Sequence, residues 1–226
     1  PRAVPPPDLD DQLFARNLHR TPMILSPDSP CALPLALRLR RPQHLARWDL
    51  QIDDDVARAA LHPKWRNQLR RSEGTGLRIS DGPFPAKPDH PLLTLETAQA
   101  QKRRYANWPA GLTAAFAQAA PHQTRLFTAY HRGTPVAYML FLLHGSRATY
   151  HIGHITDAGK SCSAHNLLLW QASRWLVKQG QMTLDLGHID PRTPGLNLFK
   201  LRTGARKIET AGTWLRWHPL ARQSRT

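Results

Sequence analysis

Cysteine is nearly missing: two among 226 residues, beside three methionines, four tyrosines and six phenylalanines. Cys31 and Cys162 are too few for a disulfide scaffold or a four-cysteine zinc site, and so sparse a use fits a reducing, cytoplasmic compartment. Long apolar runs are missing too. The longest, residues 136–143, is closed by His144 and Gly145, well short of the roughly 18 apolar residues of a membrane-spanning helix. The opening Pro-Arg-Ala-Val-Pro-Pro-Pro has no apolar stretch of the signal-peptide kind, so none is expected. Acid is scarce: 16 Asp and Glu face 31 Lys and Arg, a net charge of +15. Such a field draws polyanions, whether nucleic acid, an anionic membrane surface or a phosphorylated small molecule. What is present is a 41 % apolar fraction, enough to build a core and to exclude a wholly disordered chain.

The patterning divides the chain into a Pro-rich N-terminal appendage, 1–52, and a main lobe, 53–226. The appendage carries a helical piece over 9–18 and strand-like runs over 22–26, 33–39 and 46–52. Asp53 to Asp55 supply an N-cap and negative charge for a helix from 56. Pro63 opens a second helix to 72, stopped by Gly74 and Gly76. After a short strand at 77–80, helices are expected over 94–105 and 112–119. Three antiparallel strands are then expected, 125–130, 136–143 and 147–155, the first two joined by a tight turn at 131–135. A polar loop, 156–163, leads into a helix over 164–179 closed by Gly180. A strand at 182–186 follows, then a short helix near 196–202 and a last strand near 213–217. The long helix is a crossover, placing 182–186 parallel to 147–155 in a mixed sheet.

Three segments in this order resemble the GNAT acyltransferase superfamily and its Fem-type branch. They are Leu61-His-Pro-Lys-Trp-Arg-Asn-Gln-Leu-Arg-Arg-Ser-Glu-Gly-Thr-Gly, His165-Asn-Leu-Leu-Leu-Trp-Gln-Ala-Ser-Arg-Trp-Leu-Val-Lys-Gln-Gly, and Leu184-Asp-Leu-Gly-His-Ile-Asp followed by Gly195-Leu-Asn-Leu-Phe-Lys-Leu-Arg-Thr-Gly. The third is the most specific, and the likeness covers about residues 53–218. It implies a mixed α/β fold of GNAT type, one main lobe, with a sheet that splays at its central strand. It implies transfer of an acyl group to an amine acceptor. The loop after the central strand would then present N–H groups to phosphate, with Gly159, Lys160, Ser161, Ser163, His165 and Asn166 as the cofactor-binding set. That loop lacks the Arg/Gln-x-x-Gly-x-Gly/Ala pattern of CoA-binding members. By motif, Phe199 and Lys200 fall at the transfer site, with Lys200 stabilising charge on the reacting carbonyl or the donor phosphate. The one-lobe size favours acyl-CoA as donor, the alternative being Fem-type transfer from aminoacyl-tRNA to a peptide or cell-wall precursor. A third reading, from another class, is a silent basic module that binds nucleic acid.

Amine acylation needs a base, and histidine suits neutral pH. The candidates are His151 and His154, expected on opposite faces of their strand, and His188; His154 is taken as the catalytic one. No metal site is expected from them. Asp185, in mid-strand, either orients the amine or holds Lys200 or an arginine. Cys162, at a helix start, is read as a bystander. Lys64, Arg66, Asn67, Arg70 and Arg71 form a basic helix face; the first four, with Tyr150 and Phe199, complete the substrate-binding set.

Overall fold

The computed structural model describes residues 9–217 except 28–29, 32 and 34–35, so the N-terminal prolines and the start of the strand expected at 33–39 lie outside the described residues. Contacts divide the chain into two units. The smaller comprises the chain up to Ala46, His188–Thr193 and the chain from Lys207; the larger comprises Arg47–Gly187 and Pro194–Arg206. In the smaller unit helix α1 (Leu9–Ala15) precedes an antiparallel sheet of β1 (Met23–Leu25), β10 (Thr213–Arg216) and β2 (Ala36–Arg40), with β10 in the middle. Arg38 stacks over the Trp214 ring at 5.5 Å.

A mixed sheet runs in the order β4 (Arg78–Gly82), β5 (Thr124–His131), β6 (Thr134–His144), β7 (Arg147–Ile155), β8 (Thr183–His188), β3 (His44–Asp49) and β9 (Arg206–Glu209), with β4 to β7 wholly in the larger unit. Strands β4 to β7 are antiparallel neighbours, and β8 joins β7 in parallel. The expected meander, crossover and parallel strand are all present. Strand β6 is buried from Val136 to Leu143, which explains its unbroken apolar run. A central strand covered on both faces has no polar side to alternate with.

Helices cover both faces. Helix α4 (Pro91–Arg103) and helix α5 (Ala110–Ala119) lie over one side, where Phe84, Leu92, Leu93, Ala117, Leu126, Tyr138, Leu140 and Ile152 form a core cluster. On the other side lies α7 (Ala164–Lys178), with Trp175 against Phe127 at 6.1 Å and Phe127 against Phe141 at 5.7 Å. Helices α2 (Asp54–Ala60) and α3 (Pro63–Glu73) start as expected. Asp53 accepts the Val56 N–H at 2.8 Å, and Pro63 opens α3 beside His62, whose ring nitrogen accepts the Lys64 N–H.

Three expectations change. Helix α4 begins at Pro91 rather than 94, because His90 caps it through a ring nitrogen that accepts the Leu92 N–H at 3.1 Å. The stretch expected as a loop over 156–163 contains a short helix, α6 (Asp157–Ser161), since the Thr156 hydroxyl accepts the Gly159 N–H and Asp157 favours the first turn. Strand β7 carries an extra residue: Ile152 pairs with Leu140 and Tyr150 with Phe141, leaving His151 as a bulge.

Candidate active site

Strands β7 and β8 pair only over Arg147–Thr149 and Thr183–Asp185. Beyond that both continue without pairing to each other, so the β8-facing edge of β7 opens from Tyr150 onward. The turn that ends β8 is local. Asp185 Oδ1 accepts the Gly187 N–H at 2.7 Å, and Gly187 sits at φ +81°, a conformation that glycine adopts without a Cβ penalty.

Helix α8 (Pro194–Leu201) brings Phe199 and Lys200 to this opening. Lys200 is 5 % exposed, and its Nζ lies 3.6 Å from where a Cβ on Gly187 would stand. Burial pushes the Lys200 pKa down to about 8, with Asp185 pulling the other way. The Phe199 ring lies between Trp65 of α3, at 6.1 Å, and His165 of α7, at 6.3 Å. Trp65 is 2 % exposed and its Nε1 finds no partner among the described residues. His165 Nε2 bonds the His154 carbonyl at 3.0 Å, and burial holds the ring's pKa near 4, so it is neutral at pH 7.

In the segment after β7 several donors are already engaged. The N–H groups of Gly159, Lys160, Cys162, Ser163 and Asn166 are bonded to Thr156 Oγ1, Thr156 O, Ala158 O, Lys160 O and Ser163 O. Lys160 Nζ is paired with Asp157 at 2.7 Å, and that carboxylate stands exposed at the start of α6. Ser161 Oγ donates to Ala158 O, and Ser163 Oγ donates to Gln68 Oε1 of α3. Gly159 is a packing residue: a Cβ there would lie 2.5 Å from the Val136 carbonyl oxygen.

The sequence that builds this sheet and its crossover helix matches, over residues 35–193, the family described as the Acetyltransferase (GNAT) domain. The chain belongs to this family. It is accordingly an acyltransferase of mixed α/β fold. No curated protein matches the sequence. Among solved structures, FemX superposes with a TM-score of 0.66 at 10 % identity, covering 97 % of this chain and 71 % of that one. The C-terminal domain (DUF2156) of a proposed lysylphosphatidylglycerol synthetase from Agrobacterium fabrum gives 0.55 at 15 % identity, over 78 % of this chain and 62 % of that one. A conserved protein from Bacteroides thetaiotaomicron gives 0.53 at 11 % identity, over 92 % and 66 %. These likenesses are of fold.

In this GNAT chain α3 has two distinct sides. Trp65, Leu69 and Ser72 are buried, whereas Lys64, Asn67, Arg70 and Arg71 are exposed and Arg66 half-buried, with one guanidinium nitrogen on Ala59 O at 3.3 Å. The basic face thus backs directly onto the Trp65 contact with Phe199. The bulge at His151 overturns the opposite-face expectation for the two strand histidines. His151 meets Thr113 of α5 at 3.2 Å and Trp108 at 4.6 Å, while His154 pairs with Tyr138 on that same helix-covered side. Burial lowers both pKa values, that of His151 to about 4; Arg103 and Lys160 add to the effect on His154, whose Nδ1 is partnerless among the described residues. His188 is exposed in the smaller unit, Cys162 is buried, and Asn166 is buried in α7.

Sequence reasoning passed over Glu96 and Tyr105 of the α4 region. Tyr105 Oη donates to Glu96 Oε1 at 2.8 Å, and Glu96 is buried. The signal was there: residues 92, 93, 96 and 100 form one helical stripe, and an acid in an otherwise apolar stripe needs a reason.

Proposed function

We propose that this domain transfers an aminoacyl group from aminoacyl-tRNA to a primary amine, in the opening between β7 and β8, with Lys200 as the cation beside the reacting carbonyl. The observation that carries the reading is the buried Lys200 ammonium at the end of β8. An ammonium taken out of water is costly unless an interaction there needs it, and a fixed cation gains strength toward an oxygen that becomes anionic in a dry site. In the reaction the amine nitrogen attacks the ester carbonyl carbon. The carbonyl electron pair moves onto oxygen toward Lys200. Collapse restores the carbonyl, the ribose oxygen leaves as the C–O bond breaks, and the proton lost by the amine passes to it. His154, neutral and with a free ring nitrogen, is the group we assign to carry that proton, and Asp185 positions Lys200 through the Gly187 turn.

The donor is argued from what the α6 region lacks and what α3 has. Five of its N–H groups are already bonded within their own turns and Lys160 is paired with Asp157, which leaves this segment fewer free donors and less free charge for the diphosphate of coenzyme A. The exposed basic face of α3 does fit a nucleic-acid backbone. Acyl-CoA stays as the second reading because the family match favours it. Calorimetry with a non-hydrolysable aminoacyl-tRNA and with acetyl-CoA separates the two. The tRNA analogue is expected to bind with affinity falling steeply as salt rises. Lys64→Ala, Arg70→Ala and Arg71→Ala together are expected to reduce the log–log salt slope by about three, roughly one per lost phosphate contact. Micromolar acetyl-CoA binding without tRNA binding would reverse the assignment.

A further inference from the structure

A cavity of about 350 Å³ lies where β8 begins and α7 ends, at the far end of β8 from Gly187. Thr183 on its wall is four residues from Gly187, roughly 13 Å at the rise of a strand, so the cavity is separate from the transfer opening. Its lining residues all belong to the larger unit. Leu50, Ile52, Val177 and Met182 give it an apolar wall. Ile52 and Met182 stand 87 % and 68 % exposed, so the fold itself leaves much of that wall uncovered.

Three oxygens on the remaining wall lack a donor. Gln181 is 9 % exposed, and its Nε2 donates to the Gly145 carbonyl at 3.2 Å; that bond fixes the amide and leaves the buried Oε1 without a partner. Thr183 Oγ1 is likewise buried and unpartnered. Asp49 meets Arg206, but Nε at 2.9 Å and Nη2 at 2.7 Å both fall on Oδ2, which leaves Oδ1 without a donor among the described residues. Buried acceptors that have given up water and gained no donor are costly. In a chain of charge +15, no basic side chain among the described residues lines this cavity. The carbonyl end of the 15-residue α7 adds negative partial charge there. A primary ammonium carries one positive charge and three N–H donors on a single atom, and a short alkyl chain behind it would cover the apolar wall.

We propose that this cavity is a second binding site, for a primary ammonium on a short aliphatic chain. The nitrogen sits among Asp49 Oδ1, Gln181 Oε1 and Thr183 Oγ1, and the chain lies along Leu50, Ile52, Val177 and Met182. The exposed, unbranched Met182 side chain is the wall that yields as the ligand enters. Arg206 draws on the same carboxylate from its other oxygen and so competes with the ligand for one negative charge. Occupancy depends on neither the acyl donor nor turnover. A free alkylamine and a lysine side chain carry the same group, and the test separates them.

The test is calorimetry and melting temperature of the full chain with n-butylammonium at neutral pH. Methylammonium controls for chain length and n-pentanol for charge. Butylammonium is expected to bind saturably and to stabilise the chain, and pentanol is not. Methylammonium should bind at least about tenfold more weakly, because each buried CH2 contributes roughly fourfold. Asp49→Asn should weaken butylammonium about fivefold. Thr183→Val removes an unbonded hydroxyl and keeps the branched shape, so it should weaken binding about threefold with the melting temperature unchanged or raised. Arg206→Gln should act in the opposite direction and tighten binding, since the competing cation is gone. No saturable response in the unaltered chain, equal binding of pentanol, or an affinity unmoved by all three substitutions overturns the proposal. Nα-acetyl-lysine methylamide identifies the source: binding like that of butylammonium marks a lysine side chain, and exclusion while butylammonium binds marks a free amine.

Discussion

Lys200→Met is expected to cut kcat by about 100- to 1,000-fold, the range for removing a preorganised charge from the oxygen that becomes anionic, while the melting temperature holds or rises. Methionine fills nearly the same volume and brings no charge to be desolvated, so a fall in activity cannot be laid to unfolding. Lys200→Ala should lose turnover too, at some further cost from the cavity. The pH profile gives an independent readout. Burial sets the Lys200 pKa at about 8 against 10.5 in the open chain. If the charged form is the active one, kcat declines as pH rises through about 8, whereas an exposed lysine would hold its charge past pH 10. The same shift acts on stability with the opposite sense. The unfolded chain binds the proton more tightly, so its penalty on the fold is full below pH 8 and is relieved as pH climbs toward 10.5. A variant with undiminished kcat, or an unaltered enzyme with no decline above pH 8, removes Lys200 from the reaction.

Gly159→Ala is expected to destabilise the fold by about 3 kcal/mol or more, at the severe end for overpacking. The added methyl would lie 2.5 Å from the Val136 oxygen and 2.8 Å from Ile155 Cγ1. The Val136 oxygen cannot step aside, because it already receives the Thr156 N–H at 2.9 Å and the Thr156 hydroxyl at 3.2 Å. Gly111→Ala, in α5 with nothing near its Cβ position, should be neutral or slightly stabilising. Denaturant midpoints of the two variants check this directly. A Gly159→Ala chain that folds normally and loses only donor affinity would mean the glycine serves a ligand instead of the packing of α6 on β6.

Much of the frame was legible in the chain. Pro63 after a polar cap, the apolar runs and tight turns from 125 to 155, the amphipathic stretch from 164 and the strand after Gly180 each carry a local signal, and each formed the expected element. The misread parts have local causes as well. His90 is an uncommon cap, and its ring nitrogen did the work ordinarily given to Ser, Thr, Asp or Asn. The His151 bulge shifted every later residue of β7 by one position against simple alternation, and no residue pattern announces a bulge.

The sequence by itself determined the order of elements, the family and the place of the Phe199-Lys200 pair, because periodicity, caps and a short motif are properties of neighbouring residues. Only the tertiary structure decided what those residues meet. It set Lys200 against Gly187 and away from water, committed the N–H groups of Gly159, Lys160, Cys162, Ser163 and Asn166 to their own turns, laid Tyr150 over Gly153, and buried Glu96 against Tyr105 and Gln99. Desolvation and pairing depend on every group that packs around a side chain, and for Lys200 those groups include β8, which approaches it only once α8 is seated at Gly187.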